Sequence, residues 1–226
     1  MIVQLFMVGL VLKALFAAAS PWLTGGAVVV MVVFAGYEIS ARQTRSFTGG
    51  WTYGIGTGSM MIAGVSVTVL ALTTQIHADP WYDPRNAVPL LGMILGNAMT
   101  GVSLVLDRLL TGVARERSAI EARLSLGHDF PDALSGVTRE AVRSGLIPII
   151  NSMSAAGLVF LPGMMTGQIL AGVDPVEAVK YQILIMFLIA GGTGLGVLAA
   201  VWAGGRRLTD ERHRLRLDRL KGVDAT

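Results

Sequence analysis

The sequence contains no cysteine in its 226 residues, which excludes a disulfide framework, a catalytic thiol and a cysteine-ligated zinc or iron–sulfur site. Histidine is also scarce. His77, His128 and His213 lie far apart, and no pair has the His-x-x-x-His spacing that places two imidazoles on one helix face. Charged residues make up only 15% of the chain, against 53% hydrophobic residues. Thiol chemistry is therefore excluded, and a histidine-based catalytic metal site is not expected.

Motifs for hydrolysis and for nucleic-acid binding are missing as well. The chain has no Walker A loop, no G-x-S-x-G nucleophile elbow and no paired catalytic carboxylates, so we expect it to be no enzyme. The sequence pI of about 9.6 could suggest a nucleic-acid partner, but no helix-turn-helix, zinc-finger or RNA-binding signature accompanies the arginines. We predict no nucleic-acid partner.

Long apolar segments dominate what the sequence does contain. Mean hydropathy is +0.62, and a bilayer core about 30 Å thick needs roughly 20 apolar residues per helix. The pattern predicts an all-α, polytopic bundle of about six transmembrane helices lying in the lipid bilayer. The segments are Ile2–Ala19, Leu23–Ser40, Tyr53–Ile76, Ala87–Leu110, Ser144–Gly172 and Ala178–Gly204. The first follows Met1 without the charged start and cleavage site of a signal peptide, so we expect it to be retained.

Arginine and lysine are distributed unevenly around these segments. If the helices alternate in direction, nearly all cations fall on one side, and only Lys13, Arg85 and Lys180 fall on the other. The positive-inside rule makes the basic side cytoplasmic. The connector "HADPWYDPR" then faces outwards, with Trp81 and Tyr82 at interfacial depth. We therefore expect a multi-pass protein of the inner or plasma membrane.

We divide the chain into a transmembrane permease domain at residues 1–205, which contains a polar insert at residues 111–143, and a basic tail at residues 206–226. Both the insert and the tail are predicted to be cytoplasmic. The tail has four leucines among its cations, a pattern that predicts an amphipathic helix along anionic headgroups. These leucines are Leu208, Leu215, Leu217 and Leu220.

The polar insert is helical in pattern rather than loop-like. In "RERSAIEARLSLG", apolar residues recur at near-helical spacing, and Gly127 is the predicted stop. The stretch resembles the EAA loop of ABC-transporter permeases, a short helix that docks in a groove of the ATPase, here within Ala114–Gly136. An amphipathic helix at the membrane interface is the alternative. The predicted coupling residues are Ile120, Glu121, Ala122, Arg123, Leu124 and Gly127.

A wider resemblance covers most of the chain. The runs "LGNAMTGVSLVLDRL", "IEARLSLG" and "LPGMMTGQILAG" resemble the FetB/YbbM-like family of iron-export ABC transporter permeases, to which plant aluminium-tolerance permeases of the ALS and STAR type are related. That resemblance implies a homodimeric permease that works with a separate FetA-like ATPase. The ATPase would bind ATP and magnesium, and this chain would bind no cofactor. The resemblance also implies one more hydrophobic segment ahead of "IVQLFMVGLVLK".

Iron export is thus the expected function, and two alternatives remain open. One is an ABC permease for another solute, such as a nucleotide sugar, a lipid or another metal. The other is a membrane scaffold that transports nothing.

Polar groups at membrane depth are candidate pathway or gate residues, because their burial in lipid is costly. Glu38 is a gate candidate, although Arg42 four residues later favours an intrahelical ion pair. Asn97 and Thr100 suit either substrate contact or tight helix packing. Asn151 follows a helix proline and suits either a pathway contact or repair of the interrupted helix.

The stretch "GLVFLPGMMTGQILAG" interrupts the fifth segment. Its proline and glycines predict a hinge, and glycines four residues apart predict close packing at a dimer interface. Met164 and Met165 are metal-ligand candidates, but thioethers suit Cu(I) better than iron, and adaptable packing is the alternative. The other pathway or gate candidates in this stretch are Pro162, Gly163, Thr166 and Gln168.

Overall fold

The computed structural model describes residues 2–18, 20–74, 80, 82–210 and 212–221, and within these ranges the chain is almost entirely helical. A π-helical turn, Met61–Val65, joins the helices Trp51–Met60 and Ser66–Thr74, so that Thr48–Thr74 forms one continuous segment. The helices of the described residues are α1 (Ile2–Ala18), α2 (Pro21–Ala41), α3 (Trp51–Met60), α4 (Ser66–Thr74), α5 (Pro84–Arg115), α6 (Arg117–Ser125), α7 (Phe130–Ala155), α8 (Gly163–Leu170) and α9 (Pro175–Arg207).

Within the described ranges, four helical segments are long and apolar enough to cross a membrane: Pro21–Ala41, Thr48–Thr74, Pro84–Arg115 and Pro175–Arg207. Helix α1 is also apolar but has only 17 residues. The prediction of an all-α membrane helix bundle is confirmed. Ile76, the predicted end of the third segment, lies outside the described residues, as do His77 and Trp81.

Helix α5 is the central helix and packs along both α7 and α9. With 32 residues it is about 48 Å long at 1.5 Å per residue. Its apolar side chains recur every three or four positions, which gives the helix one continuous buried face. This face includes Leu91, Leu95, Ala98, Val102, Leu106, Leu109 and Val113.

Two glycines let α5 and α7 approach closely. A Cβ built on Gly101 would lie 2.9 Å from the carbonyl oxygen of Gly145, and a Cβ on Gly145 would lie 2.8 Å from that of Gly101. Because glycine has no side chain, the two backbones can meet directly. Further along, Gly112 lies against Val137. Residue numbers therefore increase along α5 while they decrease along the facing part of α7, so the two helices are antiparallel.

The predicted fifth span, Ser144–Gly172, is not one helix. Helix α7 ends at Ala155, and α8 begins only at Gly163. Between them Gly157 has a φ of +82°, a value that L side chains disfavour, and its N–H donates to the carbonyl of Phe160. The interruption therefore occupies residues 156–162, and the predicted hinge lies at its end, where Pro162 is its last residue and Gly163 is the first residue of α8.

The basic tail does not form the predicted amphipathic helix. After α9 the chain turns back on itself, and its regular structure in the described residues is a short 3-10 turn, Leu217–Arg219. Leu208, Leu217 and Leu220 are buried in the main core instead of facing lipid headgroups. The reason is that apolar contacts are available nearby: Leu220 forms an antiparallel bridge with Phe47, which is itself buried.

The tail also closes the end of α9. Arg219 donates from Nη1 to the carbonyl oxygen of Arg207 at 2.8 Å, which the helix end leaves without a backbone partner, and to that of Thr209 at 3.1 Å. We call this end of the bundle, where α2, α5 and α9 finish and α7 begins, the arginine-rich end. The other is the opposite end.

Candidate functional site

The first part of the candidate site is α6, which stands at the arginine-rich end between α5 and α7. Gly127 ends the helix as predicted: its φ is +89°, and its N–H donates to the carbonyl of Leu124. The N–H of His128 donates to the carbonyl of Arg123, which completes a Schellman motif. Helix α6 is thus a short rod with a defined end rather than a loose loop.

Three of the predicted coupling residues hold α6 against the bundle. Ile120 is only 2% exposed and belongs to the same core cluster as Phe130 of α7. Leu124 packs against that cluster, and Arg123 donates from Nη1 to the carbonyl of Ala133 at 3.4 Å. Through these contacts a displacement of α6 would be passed to the start of α7.

The remaining predicted coupling residues face away from the bundle. Ala122 and Gly127 are exposed, and Glu121 is held by an ion pair with Arg117 at 2.9 Å. Leu126, which the sequence reasoning did not select, is 80% exposed beside them. In the sequence, the signal that could have identified Leu126 is its position directly before the helix-ending glycine. Together Glu121, Ala122, Leu126 and Gly127 form the outward face of α6.

The second part is an open groove of about 500 Å³ at the opposite end, where α7, the interruption and α8 meet α9. We call it the methionine groove, because three thioethers line it: Met153, Met165 and Met186. Pro162 lies on the same wall as Met165. The interruption between α7 and α8 therefore opens a cavity next to α9, where an unbroken helix would pack against α9 instead.

One buried polar group lies in the methionine groove. Gln182 is 9% exposed, and its Oε1 has no hydrogen-bond partner among the described residues. A buried amide oxygen without a partner is costly, so it needs an explanation. No cluster of three or more histidines or carboxylates exists in the described residues. The groove thus offers neutral acceptors, sulfur and amide oxygen, which can hold a cation only weakly.

The pathway candidates near the interruption have different surroundings. Thr166 donates from its hydroxyl to the carbonyl of Pro162 at 3.1 Å. Gln168 has an Oε1 without a partner in the described part of the chain. Met164 does not line the methionine groove but packs against the core cluster of α4, α5, α7 and α9. No described residue lies within 4 Å of a Cβ built on Gly163, so none of the described helices packs closely there.

Other candidates lie apart from the methionine groove. Glu38 pairs with Arg42 at 3.1 Å at the arginine-rich end, so the ion-pair interpretation is confirmed. Asn97 donates to the carbonyl of Met93, and Thr100 to that of the preceding turn. Asn151 is exposed on α7. These last three side chains face away from the core of the chain.

Comparisons with known proteins support the membrane assignment. The chain matches the family described as "Uncharacterised protein family (UPF0014)" over residues 1–209. It is 36% identical over 219 residues to the UPF0014 membrane protein slr1647 of Synechocystis, covering 95% of this chain and 82% of that one. It is 35% identical over 222 residues to the "Probable iron export permease protein FetB" of Escherichia coli, covering 97% and 83%.

A plant protein is also similar. The UPF0014 membrane protein STAR2 of rice is 31% identical over 199 residues, covering 88% of this chain and 68% of that one. No solved structure matches the chain.

Proposed function

This chain belongs to the UPF0014 family of membrane proteins, and on that basis we propose that it is the permease subunit of an ABC transporter that exports iron. The observation that carries the proposal is α6, a capped helix with an exposed face, anchored through Ile120 to the start of α7. The name of the E. coli relative, "Probable iron export permease protein FetB", supports the cargo and the direction. The relatives are named as permease or membrane proteins, which favours transport over enzymatic activity.

The proposed mechanism begins on a partner chain. A FetA-like ATPase binds ATP and magnesium and docks on the outward face of α6, while this chain binds no cofactor. The arginine-rich end is cytoplasmic by the positive-inside rule, as are the insert at residues 111–143 and the tail at residues 206–226. Closure of the ATPase moves α6, and Ile120 passes the motion to α7.

The interruption at residues 156–162 then changes the opening of the methionine groove. Irregular backbone at membrane depth is tolerated where it lies against protein or lines a cavity, and here it lines one. Neutral acceptors suit an exporter because they bind a cation weakly and release it. We propose Gln182 as the oxygen contact, and the thioethers as adaptable walls.

A homodimer completes the proposal. Asn97 and Thr100 on α5, and Asn151 on α7, face away from the core and would be costly against lipid. A second copy of the chain that covers these side chains relieves that cost. The permease domain at residues 1–205 would then form half of the transport pathway.

Docking of the ATPase is tested by association. We expect Leu126→Asp and Ala122→Asp to abolish copurification of the ATPase without lowering the melting temperature, because both side chains are exposed. Val176→Asp is the matched control, since Val176 is an exposed apolar residue at the opposite end. Retention of the ATPase by both α6 variants would overturn the coupling role.

The cargo is tested in cells that lack the protein. We expect cellular iron to rise under iron load, and expression of the wild-type chain to restore it. Unchanged iron with altered tolerance to another solute would reject iron as the cargo while leaving the ABC class intact. Normal growth under every solute tested, without any ATPase bound, would favour a scaffold.

A further inference from the structure

Two adjoining cavities at the arginine-rich end play no part in the transport proposal. The first is an apolar groove of about 590 Å³ between the start of α7 and the end of α9, lined by Phe130, Leu134, Val201 and Trp202 among others. The second is a polar cavity of about 900 Å³ formed by the folded tail. The cavities adjoin each other, because both are lined by Arg206, Thr209 and Asp210.

Three guanidinium groups in the polar cavity have no ion pair with a described carboxylate. Arg206 stacks over the ring of Trp202 at 4.2 Å. Among the described residues, Arg219 donates to carbonyl oxygens and Arg212 donates from its backbone N–H. All three line the cavity. Their charge is available to an anion.

The single described carboxylate in the cavity, Asp210, does not cancel this charge. Its Oδ2 accepts from Nε of Arg214 at 2.8 Å, and its Oδ1 accepts the N–H groups of Arg212 and Arg214. Its side chain is only 12% exposed. Asp210 is thus fully occupied in holding the loop, and Arg214 balances its charge.

We propose that the two cavities together bind one anionic phospholipid from the leaflet on the arginine-rich side. The phosphate lies against Arg206 and Arg212, and an acyl chain lies in the apolar groove. A cationic cavity that adjoins an apolar groove complements a molecule with a charged part and an apolar part. Trp202 is 61% exposed near the end of a transmembrane helix, the depth at which tryptophan marks the membrane interface. Basic clusters beside such helices attract anionic lipids.

The test uses the full chain, purified in detergent with equal amounts of phosphatidylglycerol and phosphatidylcholine. Native mass spectrometry counts the lipids that remain bound. We expect wild-type protein to retain one phosphatidylglycerol per chain, and the variant R206Q/R212Q to bind it about tenfold more weakly. The control R42Q/R115Q removes two cations from the same end but outside the cavities, and should retain the lipid. If R206Q/R212Q does not fold, R212Q alone provides the same comparison.

A second measurement reports on the acyl chain. Phosphatidylglycerol with brominated chains should quench tryptophan fluorescence more than brominated phosphatidylcholine does, and Trp202→Phe should remove the difference. Equal retention of both lipids, or equal loss in R42Q/R115Q, would overturn the proposal. Displacement of the lipid by millimolar inorganic phosphate would indicate a site for free anions. Loss of ATPase binding with unchanged lipid in R206Q/R212Q would indicate a protein interface instead.

Discussion

The crossing of Gly101 and Gly145 has no room for a methyl group. Gly145→Ala would place its Cβ 2.8 Å from the carbonyl oxygen of Gly101, and backbone cannot yield as a flexible side chain does. We expect a loss of about 1–3 kcal/mol in the free energy of unfolding, seen as a lower melting temperature. Gly167→Ala is the control, since nothing lies within 4 Å of its built Cβ. Equal melting temperatures for the two variants would contradict the close crossing.

For Gln182, in contrast to Gly145, we predict a substitution that does not lower the melting temperature. Replacing it by leucine removes the unpartnered amide oxygen, whose burial costs about 1–3 kcal/mol, so the melting temperature should hold or rise. If Gln182 contacts the cargo, transport by Gln182→Leu should fall in vesicles assayed with iron. Leu198→Val, an exposed residue of α9 outside the methionine groove, should change neither property. A lower melting temperature with normal transport would make Gln182 a structural residue.

The folded tail depends on the charge of Asp210. Hydrogen bonds from the backbone and guanidinium of Arg214, and from the N–H of Arg212, lower the pKa of Asp210 from 3.8 to about 2. A lowered pKa means that the ionised form stabilises the fold, so the contribution is complete above pH 3.8 and is lost as pH falls towards 2.

Asp210→Asn should therefore loosen the tail at neutral pH. We expect the amides of Arg216 and Leu220 to exchange hydrogen faster in this variant than in the wild type when both are measured at the same pH between 5 and 7. Asp132→Asn, on an exposed first turn of α7, is the control. Unchanged exchange in Asp210→Asn would show that the buried leucines hold the tail without the carboxylate.

Local patterns predicted the helices well. Long apolar segments predicted α2, α5 and α9, helical periodicity with a glycine predicted α6 and its end at Gly127, and the spacing of Glu38 and Arg42 predicted their ion pair. Each of these features depends on residues a few positions apart, which is what a sequence pattern contains.

Features that depend on distant residues were not predictable in this way. The tail leucines fit a helix or a folded-back chain equally well, and the choice depends on the bridge between Leu220 and Phe47. The closeness of Gly101 and Gly145 depends on how α5 crosses α7. The methionine groove gathers side chains from three helices and the interruption between two of them, so no local pattern singled out Gln182 and Met186.

The proposed homodimer can be tested by cross-linking through an introduced cysteine. Because the chain has no cysteine, a single introduced cysteine is unique in the protein. We expect Asn97→Cys to form a cross-linked dimer with a short bismaleimide in membranes, because the polar side of α5 lies at the interface. Val30→Cys, 67% exposed on α2, should remain monomeric under the same conditions. Equal cross-linking at both positions, or none at either, would reject this interface.

The contacts of the tail also concern how the protein is made. Thr48 donates to the carbonyl of Arg219, and the N–H of Lys221 donates to the carbonyl of Ser46, across some 170 positions of sequence (171 between Thr48 and Arg219). During translation, Ser46 and Thr48 are synthesised long before Arg219 and Lys221. The connection between α2 and α3 therefore gains these two hydrogen bonds only after synthesis has passed α9. Nascent chains stalled before that point should be the ones that membrane proteases recognise and remove.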